Sequence, residues 1–158
     1  NASKVIFPGV GAASRAMTYL KETGLDKLIV ALDQPVLGIC LGQQLLCAHS
    51  EEGNVDCLGI FNAQVKKFPP YGSVPHMGWN SVEPDSKSLL FAGIEGESFY
   101  FVHSYAATAP VGQYQAWSEY GEPFLAAVED GVLTATQFHP EKSGTAGLKL
   151  ISNWSKSL

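Results

Sequence analysis

Short apolar runs alternate with segments of helical spacing over the first half of the chain. "KVIFPGVG" is an apolar run ended by Pro8-Gly9, which predicts a strand and a turn. "ASRAMTYLKETG" carries apolar residues at helical spacing with Gly24 as a stop, and "LDKLIVALD" continues as a second helical piece. "PVLGIC" is continuously apolar, the pattern of a parallel strand buried on both faces. "LGQQLLCAHSEEG" then reads as a helix with Gly53 near its end. The second half has β-type runs, "AQVKKF", "SVEPD", "SFYFVHSYAA", "YQAWSEY" and "PFLAAVEDGVLTATQF". Asp130-Gly131 in the last of these predicts a hairpin. "KSGTAGLKLISNWSKSL" closes as an amphipathic helix. The expected fold is a single α/β domain over residues 1–158, with a parallel sheet early and antiparallel strands later.

Composition narrows the function classes. The net charge of -5 argues against a nucleic-acid surface, and no apolar run has the length of a membrane span. Cys40, Cys47 and Cys57 show neither zinc-type spacing nor a disulfide framework, so a reducing, cytoplasmic setting is expected. The start is unusual: "NASKVIFPG" enters a strand at once without an initiator methionine. Either a leading segment is missing or Asn1-Ala2 is foreign to the protein.

The candidate chemistry centres on Gly38-Ile39-Cys40-Leu41-Gly42. G-x-C-x-G between a strand and a helix has the form of a nucleophile elbow, in which side chains two residues either side of the nucleophile would crowd the turn. Cys40 at a helix N-terminus is expected to favour thiolate, with the Leu41 N–H aimed at a developing oxyanion. Free cysteine is also among the most buried residue types, and Cys47 and Cys57 read as core thiols. Among four histidines, His49 reads as surface, His76 as part of a Pro/Gly loop and His103 as embedded in a strand. His139 ends an apolar strand, and Glu141 projects to the same side in extended chain, so one carboxylate can hold its tautomer. His139 therefore ranks ahead of His103 as the base. "PGVG" after the first strand either supplies a second oxyanion donor or is a plain glycine turn.

"LGICLGQQLL" followed by "FHPEKS" resembles the class I, triad-type glutamine amidotransferases. "KVIFPGVG", "SEEGNVDCLGIF", "VPHMGWNSVE", "YFVHSYA" and "ATQFHPEKSG" are similar, within them, to the glutaminase subunits that serve imidazole glycerol phosphate synthesis in histidine biosynthesis. The resemblance implies a flavodoxin-like α/β domain with a mostly parallel central sheet flanked by helices. It implies Cys40 as nucleophile, His139 as base and acid, Glu141 as its orienter, and oxyanion donors at Leu41 and around Val10 and Gly11. It also implies contacts to L-glutamine from Gln44, Glu52, Ser104 and Tyr105, with no metal or other cofactor. The implied partner is a (β/α)8-barrel cyclase subunit that takes up ammonia, docked over His76, Met77, Trp79, Asn80 and Lys142. Family members carry a further N-terminal piece with a strand, a helix and a second strand, so a truncated sheet is expected. Gln43 stands where Met or His is usual. Readings left open are an amidotransferase subunit of another synthase, a non-catalytic partner-binding subunit, and a stand-alone thiol hydrolase.

Overall fold

Val36–Cys40 has no exposed position, and this continuously buried run is the middle of the sheet that carries the site. The computed structural model describes residues 2–69 and 72–157; Asn1, part of the unusual start, lies outside them. In chain order the strands are β1 (Val5–Gly9), β2 (Val36–Cys40), β3 (Cys47–Ser50), β4 (Val55–Asp56), β5 (Phe61–Lys67) and β6 (His76–Ser81). They continue with β7 (Glu83–Pro84), β8 (Ser98–His103), β9 (Tyr105–Ala107), β10 (Tyr114–Tyr120), β11 (Glu122–Asp130) and β12 (Leu133–Thr136). The helices are α1 (Ala13–Thr23), α2 (Leu25–Val30), α3 (Leu41–Leu46) and α4 (Gly144–Lys156), with a 3-10 turn at Pro140–Lys142.

The main sheet runs β1-β2-β12-β11-β10-β7. β2 pairs in parallel with both β1 and β12, and the remaining neighbours are antiparallel. That places three parallel C-terminal strand ends side by side, the position at which open α/β sheets carry their sites. A second sheet, β4-β3-β5-β9, and the β6–β8 pair complete the fold. One apolar cluster joins β8, β11 and α4 through Phe99, Phe101, Phe124, Phe138 and Leu150; another joins α1 and α3 to the second sheet through Met17, Leu46, Phe61 and Val65. The expected α/β architecture with antiparallel additions is what the chain adopts. The Asp130-Gly131 hairpin is present, with Asp130 facing Leu133 and Gly131 at φ 59. Gly24 stops α1 at φ 74, where a left-handed residue is required.

Two local expectations are corrected. The helix read through residue 53 ends at Leu46, because Cys47 turns extended and Cys47–Ser50 pairs in parallel with β5. Apolar periodicity sees neither partner strand, and an edge-to-edge pairing outcompetes one more helical turn. The "PHMGWN" segment is a strand and not a loop: His76–Ser81 pairs residue for residue with β8, from His76 opposite His103 to Ser81 opposite Ser98.

Candidate active site

The turn from β2 into α3 is steric in origin. Cys40 has φ 55 and ψ -108, a conformation unusual for a residue with a side chain. A Cβ on Gly42 would lie 2.0 Å from the Phe7 carbonyl oxygen, and one on Gly38 would lie 3.1 to 3.3 Å from Leu46, Gly42 and Gln43. The glycines therefore let α3 sit directly on β1 while Cys40 is pushed out at the strand end. The thiol is buried, with Sγ 4.0 Å from the Val102 carbonyl oxygen and 3.7 Å from the Gln137 amide nitrogen, which donates to it.

His139 arrives from β12 through Gln137 and Phe138. Its backbone N–H bonds the Tyr100 carbonyl, and its own carbonyl accepts from the Ser143 hydroxyl at 2.6 Å. The ring Nδ1 meets Glu141 Oε1 at 2.6 Å, the expected pair, although a 3-10 turn at Pro140–Lys142 and not extended chain brings them together. Nε2 is buried and has no hydrogen-bond partner among the described residues. A carboxylate on Nδ1 fixes the proton there and leaves Nε2 as a base. Cys40 and His139 open onto one cavity of about 300 Å³. It also takes in Val10 and Gly11, Leu41, Gln44, Glu52, Ser104 and Tyr105. Every residue expected to hold substrate or oxyanion thus lines the same space.

Three details refine the expected roles. The thiolate preference is corrected: burial pushes the Cys40 thiol up to about 11, opposed by the Leu41 N–H, while the Glu141 charge adds to the rise. The helix-terminus argument failed because α3 has only six residues and the sulfur is desolvated. Gln44 reaches the cavity, but its amide nitrogen is already shared between the Tyr105 carbonyl at 2.9 Å and Gln137 Oε1 at 3.0 Å. Glu52 accepts a bond from the Ala13 N–H at 3.4 Å and so brings a carboxylate to the cavity rim, suited to an ammonium group.

The proposed docking strand is also corrected. On β6 the alternation turns Met77 and Trp79 outward, 62% and 58% exposed, and His76 inward, 4% exposed. His76 stacks between Phe101 and Tyr120 and cannot face a partner. Asn80 shares its inward side, its amide nitrogen bonding the Glu119 carbonyl at 2.8 Å. Lys142 is exposed beside the 3-10 turn. His103 is both buried and at the cavity. Burial holds His76 down near about 4 and His103 near about 3. The unfolded chain binds protons at both rings below the ordinary value of 6.5, whereas the folded chain resists until close to pH 4. Folding stability is therefore expected to hold above pH 6.5 and to fall steadily from there toward pH 4, read as melting temperature at a series of pH values. A flat melting temperature from pH 7 to 5 would contradict the buried neutral pair.

Sequence reasoning passed over Gln137. It lies two positions before His139, where closeness in the chain to the proposed base was the available signal.

Comparison with known proteins fits this geometry. Residues 2–156 match the family model "Glutamine amidotransferase class-I". The chain belongs to that family. This amidotransferase domain is 55% identical over 158 residues to a Bacteroides fragilis protein named imidazole glycerol phosphate synthase subunit HisH, covering 97% of this chain and 79% of that one. It is 53% identical to the protein of the same name from Escherichia coli K12, with the same coverages. Among solved structures, a Thermotoga maritima glutamine amidotransferase aligns with TM-score 0.62 at 22% identity, over 97% of this chain and 62% of that one. A protein described as a GMP synthase subunit from Thermoplasma acidophilum gives 0.60 at 19%, over 98% of this chain and 71% of that one. These two show the shared fold.

Proposed function

We infer that this chain is the glutaminase subunit of an imidazole glycerol phosphate synthase, hydrolysing L-glutamine at Cys40 and handing ammonia to a cyclase subunit. The observation that carries the chemistry is the cavity shared by Cys40 and a histidine that has a carboxylate on Nδ1 and, among the described residues, no partner on Nε2. The biosynthetic branch follows the relatives named above.

With the resting thiol near 11, the nucleophile is neutral before reaction. His139 Nε2 takes the Cys40 proton as the sulfur attacks the side-chain amide carbon of glutamine, so charge appears only when substrate is present. The oxyanion meets the Leu41 N–H and a backbone N–H of the Val10–Gly11 loop. Such a donor contributes roughly 2.7–4 kcal/mol to the transition state. Protonated His139 gives its proton to the leaving ammonia, and the C–N bond breaks to leave a thioester. Water, deprotonated by His139, cleaves that thioester to glutamate and restores the thiol. Glu52 holds the substrate ammonium, and Ser104 and Tyr105 flank its α-carboxylate end. Nothing in these steps calls for a metal or cofactor.

Ammonia released into neutral water is mostly protonated and no longer a nucleophile, which favours a partner that receives it directly. The exposed Met77 and Trp79, with Lys142 nearby in the chain's last turn before α4, form the face proposed for a (β/α)8-barrel cyclase subunit in the cytoplasm. Among the described residues no helix is long and apolar enough to cross a membrane, and all three cysteines are unpaired.

The decisive experiment measures glutamate release from glutamine with and without the cyclase subunit. Hydrolysis that the cyclase subunit stimulates is expected; absence of glutamate under both conditions would overturn the reading. Glu141→Gln keeps the size of the side chain but weakens its hold on the Nδ1 proton. It is expected to lower kcat roughly 10²–10⁴-fold with little change in KM. Wild-type kcat in that variant would remove Glu141 from the mechanism.

A further inference from the structure

Behind the cavity runs a chain of hydrogen bonds whose direction is set by its chemistry. His103 Nδ1 lies 2.9 Å from the Tyr105 carbonyl, which can only accept, so the ring carries its proton on Nδ1. Its Nε2 is then an acceptor and receives His76 Nδ1–H at 3.0 Å. The Tyr105 carbonyl takes a second donor, Gln44 Nε2, which also donates to Gln137 Oε1. With its oxygen held by Gln44, the Gln137 amide has one orientation left, and its nitrogen points at Cys40 Sγ from 3.7 Å. Gln137 is 1% exposed and does not line the cavity.

We propose that Gln137 is a positioning residue for the nucleophile, a fixed donor to the Cys40 sulfur whose orientation is set through Gln44 and the Tyr105 carbonyl by the neutral His103–His76 pair. This rests on Cys40 being the nucleophile. A thiol buried as deeply as Cys40 ionises only if something inside the protein stabilises the thiolate, and the Leu41 N–H and the Gln137 amide are the donors directed at it. The Leu41 N–H is also needed by the oxyanion. Gln137 is free to stay with the sulfur through attack and return, because among the described residues no other acceptor takes its nitrogen.

The test reads the thiol directly. Alkylation of Cys40 by iodoacetamide is followed across pH on the folded protein, with the modified peptide identified by mass spectrometry. Gln137→Leu and Gln137→Glu are each expected to slow alkylation at a fixed pH by tenfold or more and to move its pH profile upward. The loss reflects removal of a charge-assisted hydrogen bond to the thiolate. Glutamine hydrolysis should lose kcat while KM stays near wild type, since Gln137 does not touch the cavity. His103→Leu is expected to act in the same direction, and His103→Asn, whose amide nitrogen can replace Nδ1 as donor to Tyr105, should recover most of the loss. Nitrogen NMR of the wild-type chain supplies the reading that needs no variant: His103 should remain the neutral Nδ1–H tautomer down to pH 5. Wild-type alkylation profiles in folded Gln137 variants, or a His103 ring protonated at Nε2, would overturn the proposal. Should Cys40→Ala retain hydrolysis, the nucleophile assignment fails instead, while the alkylation result on the Cys40 thiol still stands or falls by itself.

Discussion

Cys40→Ala is expected to reduce glutamine hydrolysis on the order of 10⁴-fold or more while the protein stays folded. In the proposed mechanism the thiol carries the acyl intermediate, and without it the remaining donors and His139 have no bond to act on. Stability should respond quite differently. At φ 55 and ψ -108 the Cys40 backbone is strained, and alanine inherits that strain because it keeps a Cβ. Glycine does not. Strain of this kind is worth roughly 1–3 kcal/mol, and glycine gives back about 0.5–1 kcal/mol in chain entropy. Cys40→Gly should therefore melt higher than Cys40→Ala, with both inactive. Glutamate formation by either variant at a tenth of the wild-type rate would sink the assignment. Equal melting temperatures would mean that the elbow is not a reservoir of strain.

Gly42→Ala is expected to be the most damaging single methyl in the site. The added carbon would stand 2.0 Å from the Phe7 carbonyl oxygen and 3.1 Å from its carbon. Both belong to the backbone of β1, so no rotamer change relieves the contact. Either β1 leaves its parallel register with β2, or α3 lifts and moves Leu41 and Cys40. A destabilisation of about 4 kcal/mol or more is expected, placing it among the exceptional substitutions. In a domain of this size that corresponds to a fall in melting temperature of about 10 °C or more, with hydrolysis lost in what remains folded. Gly9→Ala is the useful contrast. Its methyl would meet the Leu41 side chain at 3.2 Å and should cost far less. Thermal melts of the two variants separate the cases, and Gly42→Ala melting within 3 °C of wild type would refute the packing argument.

Much of the site was readable from residue types because local geometry creates it. G-x-C-x-G names its own turn, and His139 meets Glu141 across only two residues, although through the 3-10 turn at Pro140–Lys142 and not the extended chain that was expected. The Asp130-Gly131 hairpin is equally local. What escaped depended on contacts distant in the chain. Cys47–Ser50 leaves the helix because β5 offers a partner that no window around Cys47 contains. His76 turns inward because it pairs with His103 and stacks on Tyr120, so a tryptophan-bearing stretch that looked wholly like a docking loop has two unlike faces. The thiol was misread for the same reason: a helix terminus is visible in sequence, but the desolvation that outweighs it is supplied by the whole surrounding core.

β1 is hydrogen-bonded in parallel to β2 along its whole length. Its last residue leads straight into Val10 and Gly11, and its Phe7 carbonyl carries α3 at Gly42. One strand thus serves as bearing for the elbow and stem for the oxyanion loop. The two proposed backbone donors, the Leu41 N–H on α3 and the Val10–Gly11 loop, therefore depend on one strand, and a shift of β1 would move both. The geometry of the cavity is consequently set as much by the backbone of β1 as by the side chains that line it.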